Sequence, residues 1–262
     1  MSHPRVPLRP DRLQNLRWSF PTAFSFARQR LTVPLIHTEI LRAAREYPVA
    51  FESDTGAWRP VAYLGDVTGQ ANRFIDEQGR WIGSYVPFWL RVRPFLPEAD
   101  AISVLLDPDF VGVSGTYAFT QDGQTLTPEA QDVERQLQRV EAGRAELEAA
   151  ASALVEGGVG QMRPAPQGST GPELAFIAAH RAAEIMGAKT AEWYARSPRA
   201  VELAIAAAFS SAFLPRVAPA QVTLPASRPK PETRPAVTAP LYVPPAAPAE
   251  LDWLDMNEKV MF

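Results

Sequence analysis

Apolar and polar positions run in short, turn-punctuated stretches through the first half of the chain and settle into a helical period only after Thr127. Six stretches read as short strands: Val49–Ser53, Arg59–Leu64, Asn72–Asp76, Trp81–Val86, Ala101–Leu106 and Thr116–Thr120. Asp54-Thr55-Gly56, Glu77-Gln78-Gly79 and Gln121-Asp122-Gly123 supply tight turns between or beside them, each offering a glycine for positive φ. Thr127-Pro128-Glu129 then opens a helix, with threonine as cap and proline in the first turn. Val133, Leu137, Val140, Leu147, Ala151 and Leu154 keep that helix in phase to about Glu156, and Gly157-Gly158 ends it. Two further helices are predicted, over about Pro172–Ala195 and Pro198–Phe213, the second opened by Ser197. Strands followed by segregated helices predict the α+β class, with an antiparallel β-rich N-terminal half and a helical half after it.

Both flanks depart from this pattern. Residues 1–34 contain Pro4, Pro7, Pro10, Pro21 and Pro34, which limit regular pairing, together with Leu13, Leu16, Trp18, Phe20, Phe24 and Phe26. Their expected state is an extended N-terminal arm laid along another surface, ahead of a body at 35–213. Residues 214–262 hold ten prolines in 49 residues and end in a compact apolar cluster that includes Leu251, Trp253, Leu254, Met261 and Phe262. A Pro-rich spacer with an aromatic end suits a tether to a partner, or a tail folded back over its own core.

Composition narrows the partners. The chain has 262 residues, 46% hydrophobic and 21% charged, with a net charge of −3, so it can build a sizeable core and is no general nucleic-acid binder. The charge is uneven: residues 1–30 hold six arginines against one acid, whereas residues 31–213 hold 15 basic and 23 acidic side chains. Arg5, Arg9, Arg12 and Arg17 make the arm basic, able to meet an acidic protein surface or phosphate. Without cysteine there is neither a disulfide nor thiolate chemistry. No apolar run reaches membrane-spanning length, and prolines interrupt the N-terminus where a signal peptide would need a continuous apolar stretch. Synthesis in the cytoplasm without a signal peptide is expected, with a final place in a cell-surface or envelope assembly or in a virion.

The region from Leu35 to Leu154, with a weaker echo to Leu203, resembles the SapC-like family. The resemblance rests on Glu39, Tyr47-Pro48 and Phe51, Leu64-Gly65, Asn72, Phe74, Asp76, Gly79, Trp81, Tyr85-Val86-Pro87, Leu90-Arg91, Arg93-Pro94-Phe95, and later Phe119 with Asp122-Gly123. Residues Tyr85 to Phe95 are its most specific part. It implies an association with bacterial surface-layer proteins and brings no established catalytic residues. Thr170-Gly171-Pro172-Glu173 departs from the glycine and Val-Asp-Glu step that family members commonly keep before the last helices. The arm and the tail stand outside the features expected of the family.

Candidate chemistry is sparse. His37-Thr38-Glu39 with distant His180 has the residue types of a two-histidine, one-carboxylate metal site, but the spacing is common by chance and no cofactor or metal is expected. Asp107-Pro108-Asp109 reads as a turn starter before it reads as a catalytic pair. Arg91 and Arg93 share a face if their segment is extended, and with Trp81, Tyr85 and Trp89 they compose a possible ligand surface whose structural alternative is core packing. The leading expectation is a non-enzymatic structural or assembly protein. Its partner-binding groups would be Arg5, Arg9, Arg12, Arg17, Trp18 and Phe20 at one end and the apolar C-terminal cluster at the other. The alternative is an accessory module that recognises an envelope ligand such as a glycan.

Overall fold

The structure is a computed structural model and describes residues 3–53, 56–66, 68–98, 101–159, 161–163, 173–177 and 190–214. Eleven strands and six α-helices lie within these residues. The strands are β1 (Arg5–Pro7), β2 (Arg17–Trp18), β3 (Thr32–Pro34), β4 (Val49–Ser53), β5 (Trp58–Tyr63), β6 (Phe95–Glu98), β7 (Ala101–Leu105), β8 (Val111–Gly112), β9 (Tyr117–Ala118), β10 (Gln161–Arg163) and β11 (Glu173–Phe176). The helices are α1 (Ile40–Ala43), α2 (Phe88–Arg91), α3 (Pro128–Ala142), α4 (Arg144–Glu156), α5 (Thr190–Arg196) and α6 (Pro198–Ser210). Antiparallel sheets in the N-terminal half and helices later make this an α+β fold.

Three antiparallel sheets result. Five strands pair in the order β10-β11-β4-β5-β3, three in the order β1-β7-β6, and three short ones as β8-β2-β9. In the large sheet the side-chain period of two divides the strands between two faces. Val49, Phe51, Trp58 and Ala62 enter one core with Leu147, Leu154 and Leu203 from the helices, while Ala50, Val61 and Tyr63 pack with Phe176 in another cluster. A further core joins Leu8, Leu13, Trp18, Phe95 and Phe119 to Val133, Leu137 and Val140 of α3.

The N-terminal segment expected to be a separate arm is woven into this body. Through β1 it pairs with β7, through β2 with both β8 and β9, and through β3 with β5. Leu13 and Trp18 have no exposed surface. The prolines do not prevent this because the paired runs are only two or three residues long, with Pro7 and Pro34 at their ends and Pro10 opening a 3₁₀ turn.

Four other expectations are corrected. Asn72–Asp76 and Trp81–Val86 are loops whose sheet-like pairing is limited to isolated bridges, Gly65 with Asn72 and Ile75 with Trp81. Carboxylates capture the backbone there: Asp66 accepts from the Thr68 and Gln70 amides, and Asp76 from that of Arg80. The long helix is two, divided at Gly143, where an added Cβ would stand 2.8 Å from His37 Nδ1. Residues 173–176 are strand, not helix, because the edge of β4 offers them a partner. Residues 178–189 of that expected helix lie outside the described residues.

Candidate functional site

The stretch from Ser84 to Phe95 is pinned to the body by two acids with different tasks. Glu39, just before α1, is buried and sends one oxygen to each side: Oε1 accepts from the Ile36 amide at 3.0 Å, and Oε2 from the Phe88 amide at 2.9 Å and the Tyr85 hydroxyl. Glu46, beyond α1, is half-buried and accepts from the Ser84 amide at 2.6 Å, the Ser84 hydroxyl at 2.9 Å and the Tyr85 amide at 3.0 Å. The Tyr85 carbonyl in turn accepts from Trp81 Nε1 at 2.9 Å and from the Tyr47 hydroxyl. Gly83 permits this crowding, since a Cβ there would lie 2.5 Å from Glu46 Oε1 and 2.8 Å from Trp81 Nε1.

Burial dominates the electrostatics of this network. It raises the Glu39 pKa, against the stabilising bonds from Tyr85, Ile36 and Phe88. The Tyr85 hydroxyl is also pushed up, first by burial and then by the charge of Glu39, and Tyr47 by burial and then by Glu46. Both phenols remain protonated donors and serve as fixed struts.

The five residues expected to form a ligand surface do not converge. Trp81 stacks on Phe74 at 5.8 Å and meets Phe24 edge-on at 5.7 Å, while Tyr85 is buried beneath the guanidinium of Arg42. Arg91 and Arg93 diverge because α2 breaks the extended geometry between them. Arg91 reaches the Tyr85 hydroxyl at 3.3 Å, whereas Arg93 pairs with Asp107 at 3.0 Å and lies over the Phe26 ring. Asp107 also accepts from the Asp109 amide at 3.1 Å, so the Asp-Pro-Asp step is a turn locked by an ion pair. Glu39 of the metal-like triplet is occupied by Tyr85, Ile36 and Phe88, and His180 lies outside the described residues.

Trp89 and Arg93 do share one feature. They line a cleft of about 350 Å³ between the large sheet, α2 and the junction of α3 with α4. Leu35, Ile36, Leu90, Val140 and Leu147 contribute apolar walls, and Arg30, Arg59 and Arg144 contribute further cations. Arg59 is held by Glu52 at 2.6 Å, and Arg144 by Glu141 at 2.6 Å and Glu148 at 3.3 Å. Sequence reasoning missed Arg30, whose only signal was membership of the basic N-terminal run.

Among the residues expected to bind partners, Trp18 is fully buried against Phe119 at 4.6 Å and Phe95 at 5.4 Å, which removes it from any partner surface. Arg17 donates to the carbonyls of Gly115 and Thr116, and Phe20 is half-buried beside Phe95. Arg5, Arg9 and Arg12 are exposed. Leu251, Trp253, Leu254, Met261 and Phe262 lie outside the described residues. Among the described residues no helix is long and apolar enough to cross a membrane.

The family model described as SapC matches residues 8–163. The match takes in residues 8–34, which the sequence reading had set apart from the family, and with them the strands β2 and β3. No curated protein and no solved structure matches the chain.

Proposed function

The chain belongs to the SapC family, and from that premise we propose that it is a non-enzymatic component of a larger protein assembly, either a surface layer or a virion. Its body supplies shape, and exposed basic residues near the N-terminus together with the C-terminal segment supply contact. The observation behind this reading is the use made of the buried acids. Glu39, Glu52 and Asp107 are the buried carboxylates among the described residues, and each is spent on the chain's own fold, holding respectively the Tyr85 loop, Arg59 with Thr32, and Arg93 with the Asp109 turn. An acid consumed by its own loops is poorly placed for proton transfer to a substrate. Exposed Arg5, Arg9 and Arg12 and the sequence of residues 214–262 are the contact elements.

The test compares the full chain with one ending at Leu214, both tagged and expressed in the native host. The shortened protein is expected to keep its melting temperature and to shift from the assembled to the free fraction on size-exclusion chromatography. Retention of every co-purifying subunit by the shortened protein would refute the assembly role.

A second reading, an accessory module that recognises an envelope ligand, is favoured by the cleft that half-buried Trp89 helps to line. Its size falls within the usual range for small-molecule sites, from about 300 to 1,000 Å³.

A further inference from the structure

Arg30 is the cation of the cleft that meets no carboxylate among the described residues. Arg59, Arg93 and Arg144 each meet a carboxylate, and the two acids lining the cleft, Glu141 and Glu148, are both engaged by Arg144. The Arg30 side chain has no hydrogen-bond or ion-pair partner among the described residues. Its side chain is exposed where it lines the cleft, and partial desolvation, then the nearby cations Arg93 and Arg5, lower its pKa. Arg93 adds an independent sign. It is 9% exposed and, although one of its NH2 groups meets Asp107, it adds a second cation to the lining of the cleft. The lining carries four arginines against two acids, so the cleft is net positive and suits an anion. Beside these two arginines stand Leu35, Ile36, Trp89, Leu90 and Val140, a wall with little use for a small hydrated ion.

We propose that this cleft binds a small organic anion, an acidic head group facing Arg30 and Arg93 with an apolar body laid along the wall that includes Trp89. The inference rests on the second reading above and names its ligand chemistry. Guanidinium matches the head because its planar fork can donate two parallel bonds to a carboxylate. The apolar body supplies affinity through burial, and the head sets orientation.

Calorimetric titration of the full-length chain with decanoate, decanol and acetate separates the two contributions. Decanoate is expected to bind, with decanol and acetate each at least about tenfold weaker. Arg30→Ala should weaken decanoate binding by roughly ten- to a hundredfold while leaving the melting temperature unchanged, since the side chain holds no internal partner. Arg30→Lys should recover part of the loss. Equal binding of decanoate and decanol, or decanoate binding that survives Arg30→Ala, would overturn the anion inference and leave a binding cleft standing. Failure of all three probes to bind would overturn the inference while leaving the second reading standing, and failure of an envelope glycan to bind as well would overturn both.

Discussion

Glu39 stands among three donors, the Ile36 and Phe88 amides and the Tyr85 hydroxyl, and it joins α1 to the loop ahead of α2. A glutamine there has one acceptor oxygen to offer those donors, so Glu39→Gln should cost about 1–3 kcal/mol, measured by urea unfolding at neutral pH. The pH dependence follows from burial. Because the folded pKa is raised, the native state keeps a proton over a window in which the unfolded chain has already lost it. This contribution is fully present below the ordinary carboxylate range and is lost as pH rises through the folded value. Wild type should therefore gain stability relative to Glu39→Gln as pH falls toward that range, and a flat difference across the series would disprove the raised pKa. At this scale the motif residues were visible in sequence, but their bonding was not. Tyr85 and Arg91 meet only because a helical turn intervenes, and spacing in an extended segment cannot show that.

Helix signals were the most legible features at the level of the element. Thr127 accepts from the Ala130 amide at 3.3 Å and Ser197 from the Ala200 amide at 3.2 Å, each before a proline at the start of its helix. The two caps should differ in weight. Thr127 is buried and its hydroxyl also donates to the Ala118 carbonyl at 2.8 Å, tying α3 to β9, whereas among the described residues the Ser197 hydroxyl makes only the cap bond. Ser197→Ala should cost about 1 kcal/mol and Thr127→Ala about 2 kcal/mol, and thermal melts in which the order is reversed would contradict the tie to β9. Local signals worked here because a cap is a contact between residues three apart. They failed at Glu173–Phe176, where an apolar stretch becomes strand because β4 presents an open edge; propensity yields to such a partner.

Taken whole, the body begins at its N-terminus and not at residue 35. The first 34 residues place Leu8, Leu13, Trp18, Phe24 and Val33 in the cores. Each such side chain stabilises by about 1.5–3 kcal/mol, so together they approach the total stability of an ordinary domain, about 5–15 kcal/mol. A chain lacking residues 1–34 should lose its cooperative thermal transition in circular dichroism, and a sharp melt near the wild-type temperature would return this segment to the status of an appendage. The sequence by itself determined the α+β class, the turns at Gly79 and Gly123, the helix caps and the family, because these reside in short-range patterns and in a contiguous motif. Only the tertiary structure decided that the proline-interrupted N-terminus is core, that Trp81 and Tyr85 are struts, and that Arg30 lines a cleft beside Arg93. Those outcomes depend on which distant residues fill the space around a side chain, and apolar content reads the same whether the covering surface belongs to the chain or to a neighbour.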